Sequence, residues 1–150
     1  MTNPEPQTPE PVDAEEEQPE DTPVYFVSFE RLATLNRSPI VLISERRMPS
    51  CPSLQHPDHE LSDPKALVDE IAKYCGEEEE FIRSSMTIQE IVFRTILARR
   101  NEPTSLTDLH HELTERWSTP IRPINITEER LQRVLDTDDY YGFARVVNEG

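Results

Sequence analysis

The sequence predicts a mainly α-helical domain with a small β-sheet, an α+β fold, preceded by a disordered acidic tail. Three observations lead to this prediction. Apolar residues recur at helical spacing through much of the second half of the chain. Short β-branched and aromatic runs, typical of strands, lie at both ends of the part that can fold. The first 22 residues carry eight acidic residues, no basic residue and five prolines.

Length and composition limit the classes of protein that the chain can belong to. With 150 residues, we expect one compact domain over residues 23–150 behind a tail over residues 1–22. No apolar run approaches the roughly 20 residues that cross a bilayer, so no membrane partner is expected. Two cysteines are too few for a disulfide scaffold. We find no charged and apolar leader pattern, and therefore expect no secretory signal and a cytoplasmic location.

The tail over residues 1–22 has almost nothing to bury. Its like charges repel and its prolines disfavour helix and strand, so we expect it to be disordered. It is then either a solvating segment or an acidic arm. Such an arm would dock on a basic partner or compete with nucleic acid for the protein's own basic face.

The first half of the domain contains two candidate strands and one long loop. Residues 24–29 (VYFVSF) are predicted to form a strand, followed by a short helix up to about residue 38. Residues 39–44 (PIVLIS) are predicted to form a second strand, with Pro39 at the position that a strand tolerates. Residues 46–61 contain three prolines and no periodicity, which predicts a long exposed loop.

The next helix has clear boundaries. Asp63 is a suitable N-cap, Pro64 suits the first helical position, and apolar residues follow at helical spacing as far as Cys75. Gly76 is a natural stop. The acidic run 77–80 is predicted to be a solvated linker or the first turn of a short helix.

Three further helices and a strand are predicted from their caps and apolar faces. Thr87 and Glu90 form a capping box, Ser105 opens a second helix, and Thr127 caps a third that ends in an acidic turn. Residues 140–147 (YYGFARVV) are predicted to be a strand. The inward face of the second helix is expected to comprise Leu106, Leu109, Leu113 and Trp117.

The segment over residues 87–147 resembles a winged helix-turn-helix domain. A helix, the break N-E-P and the passage S-L-T-D-L-H-H-E-L are similar to the HARE-type family, which is related to the N-terminal domain of the bacterial RNA polymerase delta subunit. Two features differ: nine residues, 118–126, join the second and third helices, and one strand follows the third. The resemblance implies a wing completed by a borrowed strand, either 24–29 or 39–44.

A nucleic-acid site would depend on arginines in and around the third helix. Two carboxylates, Glu128 and Glu129, occupy the helix end that usually approaches DNA and would repel phosphate. Residues 81–150 carry eleven acidic and nine basic residues, without the basic excess typical of DNA-binding domains. The candidate nucleic-acid-binding residues are Arg122, Arg130, Arg133 and Arg145.

A zinc site is left open by the sequence. Cys51, His56, His59 and Cys75 are of the right types for tetrahedral zinc, but their spacing matches no strong motif. Cys75 also falls on an apolar helix face, which favours a buried thiol. Adjacent histidines at 110 and 111 point about 100° apart on a helix, so they cannot share one metal ion.

These observations favour a non-enzymatic adaptor or regulatory protein that binds a protein partner and needs no cofactor. The sequence offers neither a glycine-rich phosphate loop nor a serine–histidine–aspartate arrangement. The near-neutral face of the domain and the loop over residues 46–61 are the expected contact regions. The alternative is a transcription-linked nucleic-acid-binding protein. Partner identity and oligomeric state do not follow from the sequence.

Overall fold

The computed structural model describes residues 22–55 and 62–147, which form a helical protein with one small sheet, an α+β arrangement. The tail predicted to be disordered lies, apart from Thr22, outside the described residues. The helices and strands are β1 (Val24–Val27), α1 (Phe29–Thr34), α2 (Pro39–Ser44), α3 (Pro52–Gln55), α4 (Pro64–Tyr74), α5 (Ile88–Ala98), β2 (Thr104–Ser105), α6 (Leu106–His111), α7 (Glu128–Thr137) and β3 (Phe143–Arg145).

The sheet joins the two ends of the described chain. Strand β1 lies in the middle and pairs antiparallel with both β2 and β3. Its central residue, Tyr25, lies opposite Thr104 on one side and Arg145 on the other. The expectation that the last strand pairs with an N-terminal one is therefore confirmed for residues 24–27. The strand ends before residue 29 because Ser28 caps helix α1.

The predicted strand over residues 39–44 is wrong, because this segment is helix α2. The Ser38 hydroxyl accepts a hydrogen bond from the Val41 N–H at 3.2 Å, and Pro39 occupies the first turn. Serine followed by proline is a helix-start signal. A short apolar run is compatible with a strand or a helix by periodicity alone, so the cap decides between them.

The prediction of a long exposed loop over residues 46–61 is also wrong in part. Helix α3 lies within it, and both Arg46 and Cys51 are buried. The Ser50 hydroxyl donates to the Tyr74 carbonyl at 2.8 Å, which holds this segment on the end of helix α4. Residues 56–61 lie outside the described residues.

Helix α4 and the acidic linker after it agree with the sequence. Asp63 accepts a hydrogen bond from the Lys65 N–H at 3.1 Å, and Leu67, Val68 and Ile71 are buried. Residues 77–80 form exposed turns rather than a helix.

The predicted caps of α5, α6 and α7 are confirmed. Thr87, Ser105 and Thr127 each accept a hydrogen bond at 3.1 Å from the N–H three residues later. The reciprocal half of the capping box at Glu90 is not formed, because its carboxylate accepts from two arginines and a tyrosine instead.

Helix α6 does not continue as a regular α-helix. Residues Glu112–Arg116 form a π-helical turn, so the spacing behind the predicted apolar face changes after His111. Leu106, Leu109 and Leu113 are buried as expected. Trp117 is only half-buried, and its indole nitrogen has no hydrogen-bond partner in the part of the chain that the structure describes.

The last strand is shorter than the predicted range of residues 140–147. The Asp138 carboxylate accepts hydrogen bonds from the N–H groups of Tyr140 and Tyr141, at 3.0 and 2.7 Å, and this makes a turn. Gly142 then adopts a φ of +80° before β3 begins. Val147 is 75% exposed beyond its end.

The Asn101 side chain forms hydrogen bonds with the backbone of β1 at Val27, beyond the end of the short strand β2. Its side-chain oxygen accepts from the Val27 N–H at 2.8 Å, and its amide donates to the Val27 carbonyl at 2.9 Å. Strand β2 has only two residues, so the Asn101 side chain satisfies backbone groups that the sheet leaves unpaired.

We expect Asn101→Gly to lower the free energy of unfolding by about 1–3 kcal/mol, because both hydrogen bonds to Val27 are lost. Asn36→Gly is the matched control. Asn36 has nearly the same φ, 64° against 62°, but is exposed and has no side-chain bond among the described residues. Urea unfolding should separate the two variants. Equal changes would show that the backbone conformation, not the side chain, carries the effect.

The core joins residues from nearly every element, from Tyr25 to Phe143. The longest helices described, α4 and α5, have 11 residues each. Within residues 22–55 and 62–147, no helix is long and apolar enough to cross a bilayer.

Candidate functional site

A groove of about 590 Å³ lies between the residues that lead into helix α5, the connection before helix α7, and the first turn of α7. We call it the Ile121 groove. Its lining residues are Ser84, Met86, Thr87, Ile88, Ile121, Arg122, Pro123, Ile124, Asn125, Ile126 and Arg130.

Local hydrogen bonds fix the connection that forms one wall of the groove. The Thr119 hydroxyl accepts from the Arg122 N–H at 2.9 Å, and the Arg122 carbonyl accepts from the Thr119 N–H at 3.2 Å. The Ser118 hydroxyl accepts from the Ile124 N–H at 2.8 Å. Two prolines, at 120 and 123, further restrict the backbone. The wall is therefore a preformed turn.

Three isoleucines in this wall have different environments. Ile124 and Ile126 pack against the core, whereas Ile121 lies at the tip of the turn and is 90% exposed. It is the most exposed large apolar side chain among the described residues. Packing among the described residues therefore does not explain an isoleucine at this position.

The charge of the groove is positive. Arg122 and Arg130 line it, no acidic residue does, and neither guanidinium has an ion pair or hydrogen bond among the described residues. This is unusual in a chain with a net charge of −15.

The other two arginines of the predicted nucleic-acid patch lie in a different environment. Arg133 lines a separate groove together with Glu129 and Asp136. Arg145 is paired with Asp136 through two hydrogen bonds of 2.5 and 3.1 Å. Burial would raise the pKa of Asp136, but hydrogen bonds from Arg145 and Tyr25 outweigh it and lower this pKa. The structure therefore groups Arg122 with Arg130, and Arg133 with acidic residues.

A second groove, of about 600 Å³, lies beside Trp117 and the acidic linker. Its basic residues are already engaged, since Arg99 and Arg116 both contact Glu112, at 3.4 and 3.5 Å. Three glutamates, 77–79, complete its rim. Its excess charge is thus negative, unlike that of the Ile121 groove.

A partly buried polar network next to the core was missed by sequence reasoning. The Glu90 carboxylate accepts hydrogen bonds from Arg46 at 2.8 and 3.0 Å, from Arg94 at 2.6 Å and from the Tyr141 hydroxyl at 2.7 Å. Burial would raise the pKa of Glu90, but these donors lower it to about 2. Burial and the Glu90 charge raise the pKa of Tyr141 to about 12. Through Arg46 and Tyr141, the network connects the end of α2 and the turn before β3 to Glu90 in helix α5.

The candidate zinc ligands are only partly described. The sulfur atoms of Cys51 and Cys75 are 2.8 Å apart and both residues are buried, so the predicted burial of Cys75 is confirmed. His56 and His59 lie outside the described residues. In the described ranges no group of three or more histidine, cysteine or acidic side chains could hold a metal ion. His110 lies 2.6 Å from the Ile126 carbonyl, in a structural contact between α6 and the groove wall.

Comparisons with known proteins identify no relative. No protein-family model matches the chain, and neither the curated proteins nor the solved structures include a significant match.

Proposed function

We propose that this protein is a non-enzymatic adaptor or regulatory protein that binds an acidic segment of a protein partner in the Ile121 groove. The observation that carries this proposal is the combination, around one preformed groove, of a nearly fully exposed isoleucine with two arginines that have no ion-pair partner among the described residues.

The partner's chemistry follows from these groups. Guanidinium groups bind carboxylates through paired hydrogen bonds, so Arg122 and Arg130 favour an acidic segment. Ile121, with Met86 and Ile88 on the opposite wall, favours an apolar side chain between the acids. The turn is held by its own hydrogen bonds, so binding costs little conformational entropy in this segment.

The fold that we infer for residues 87–147 is winged-helix-like. Helix α5, strand β2, helix α6, helix α7 and strand β3 follow one another, and β1 completes the sheet from the N-terminal side. In such an arrangement the Ile121 groove lies next to the start of the third helix, α7.

The direction of two pKa shifts supports our proposal that the protein is not an enzyme. A general acid needs a raised pKa, whereas the pKa values of Glu90 and Asp136 are lowered by ion pairs. These carboxylates stabilise the fold, and neither lines the Ile121 groove.

Nucleic-acid binding is the second candidate, because unpaired arginines also bind phosphate. Arg122 and Arg130 would be its main contacts. Arg145 is engaged by Asp136 and Arg133 lies among acidic residues, so the four arginines do not form one continuous basic strip. We therefore prefer the protein-binding function.

The test is selection of random displayed peptides on the full-length protein, followed by affinity measurement for an enriched peptide. We expect enriched sequences in which acidic residues flank an apolar one. Arg122→Glu and Ile121→Asp should each weaken binding by about ten-fold or more, because they remove the carboxylate partner and the apolar contact.

Arg133→Glu is the matched control, since it makes the same charge change on an exposed arginine outside the groove. It should leave peptide binding within about two-fold. A short DNA duplex at low ionic strength is the second probe, because phosphate contacts are strongest there. DNA binding that is lost with Arg122→Glu, with no enriched peptide, would replace our proposal by the nucleic-acid alternative.

A further inference from the structure

Cys51 and Cys75 lie together although 24 positions separate them in the sequence. Their sulfur atoms are 2.8 Å apart, and both side chains are fully buried. Neither cysteine lines the Ile121 groove, so this pair is independent of the proposed partner site.

Several contacts hold the two thiols in this position. Cys75 lies at the C-terminal end of helix α4, and its sulfur accepts a hydrogen bond from the Met48 N–H at 3.4 Å. The Ser53 N–H donates to the Glu70 carboxylate at 2.6 Å, and the Ser50 hydroxyl donates to the Tyr74 carbonyl. In this closed arrangement, hydrogen bonds on both sides of Cys51 therefore hold its segment against α4.

We propose that Cys51 and Cys75 form a reversible dithiol–disulfide pair, with a peroxide as the oxidant. The Cys51 thiolate attacks a peroxide oxygen, the O–O bond breaks, and Cys51 becomes a sulfenic acid as hydroxide leaves. The Cys75 sulfur then attacks the Cys51 sulfur, the S–O bond breaks and a second hydroxide leaves. With the two thiol protons, hydrogen peroxide is reduced to two waters.

The position of the pair makes Cys51 the attacking thiol and makes its oxidation slow. Cys75 ends a regular helix of 11 residues, whereas Cys51 precedes the four-residue helix α3, which opens more readily. Burial raises the pKa of the Cys51 thiol, so little thiolate exists while the segment is closed. Once formed, the disulfide fastens the segment around α3 to α4 and closes a loop of 24 positions.

The test uses the reduced full-length protein treated with hydrogen peroxide, then denatured and reacted with N-ethylmaleimide. The chain has only two cysteines, so any disulfide within one chain joins these two. We expect a monomer that has lost two hydrogens in mass and takes up no maleimide. Reduction with dithiothreitol should restore the reaction of both cysteines with N-ethylmaleimide. The oxidised form should melt roughly 5 °C or more above the reduced form, because the cross-link restricts the unfolded chain.

Cys75→Ser provides the comparison. This variant should gain oxygen at Cys51 or dimerise, without a rise in melting temperature. The wild-type mass measurement stands even if the variant folds poorly. The proposal is overturned if both thiols of the treated wild type still react with maleimide, or gain oxygen without a cross-link, or link two chains. It is also overturned if the purified protein holds one equivalent of zinc that protects both thiols, since the pair would then be a metal site.

Discussion

Replacement of Glu90 by glutamine is expected to lower the free energy of unfolding by about 3–5 kcal/mol. The Glu90 carboxylate is the only acid that contacts both Arg46 and Arg94 among the described residues, and all three side chains are at most 16% exposed. Glutamine keeps the shape, but it leaves Arg94 without an acidic partner among the described residues and Arg46 with only the exposed Glu45, at 3.4 Å. Urea unfolding of the wild type and the variant measures the difference.

Glu112→Gln is the control for this prediction. Glu112 also contacts two arginines, Arg99 and Arg116, but at 3.4 and 3.5 Å and with more exposed partners. Solvent screens such pairs, so we expect a loss of about 1 kcal/mol or less. If both variants lose the same stability, burial of the Glu90 network is not what makes it important.

The same network should set the acid sensitivity of the fold. The pKa of Glu90 is about 2 in the folded protein, against 4.5 for a free glutamate, so the unfolded chain binds the proton first as the pH falls. The contribution of Glu90 to stability is therefore complete above about pH 4.5 and is lost between that pH and 2, which corresponds to about 3 kcal/mol. The difference in stability between the wild type and Glu90→Gln should shrink over this range. A constant difference would contradict the assignment.

Substitution of Gly142 by alanine is expected to cost about 2–4 kcal/mol of stability. The residue has a φ of +80°, which is unfavourable for any residue with a Cβ. An added Cβ would also lie 2.6 Å from the Leu32 Cγ, inside the core. Since the Gly142 carbonyl accepts from the Ser28 N–H at 2.8 Å, the turn cannot shift without disturbing the end of β1.

Gly76→Ala tests whether glycine loss alone explains this result. A Cβ at Gly76 would meet Ala72 and Ala98 at 3.2 Å, a tighter contact than usual but without a positive φ. We expect a change within about 1 kcal/mol. A Gly142→Ala variant with wild-type melting behaviour would show that the turn before β3 is not rigid.

Much of the fold could be predicted because local signals agree with the packing. The caps at Thr87, Ser105 and Thr127 lie where the sequence indicated. Each hydroxyl accepts a hydrogen bond from an N–H only three residues later, so the cap depends on neighbouring residues alone. Asp63 and Pro64 define the start of helix α4 for the same reason.

The sequence predictions were wrong where a segment or a side chain has two possible structures or partners. Residues 39–44 fit a strand by composition, but the Ser38 cap makes them a helix. Glu90 fits a capping box, yet Arg46, which lies 44 positions earlier, takes its carboxylate. Only the folded chain brings these residues together, so no local pattern could indicate the pair.

The candidate site was predicted in part. Arg122 and Arg130 were singled out for their charge, and they line the Ile121 groove. Ile121 was not predicted as a site residue. It lies between two prolines, where no periodic pattern distinguishes an exposed side chain from a buried one. In the predicted contact region over residues 46–61, Arg46, Cys51 and Ser53 are buried and cannot contribute to a contact surface, whereas Leu54 is 42% exposed.

Titration of the isotopically labelled full-length protein with an enriched acidic peptide, followed by amide chemical shifts, tests the proposed binding site most directly. We expect the largest shifts at residues 84–88 and 121–126 and at Arg130. Shifts centred on Trp117 and residues 77–79 instead would contradict the assignment, because they would place the partner in the acidic groove.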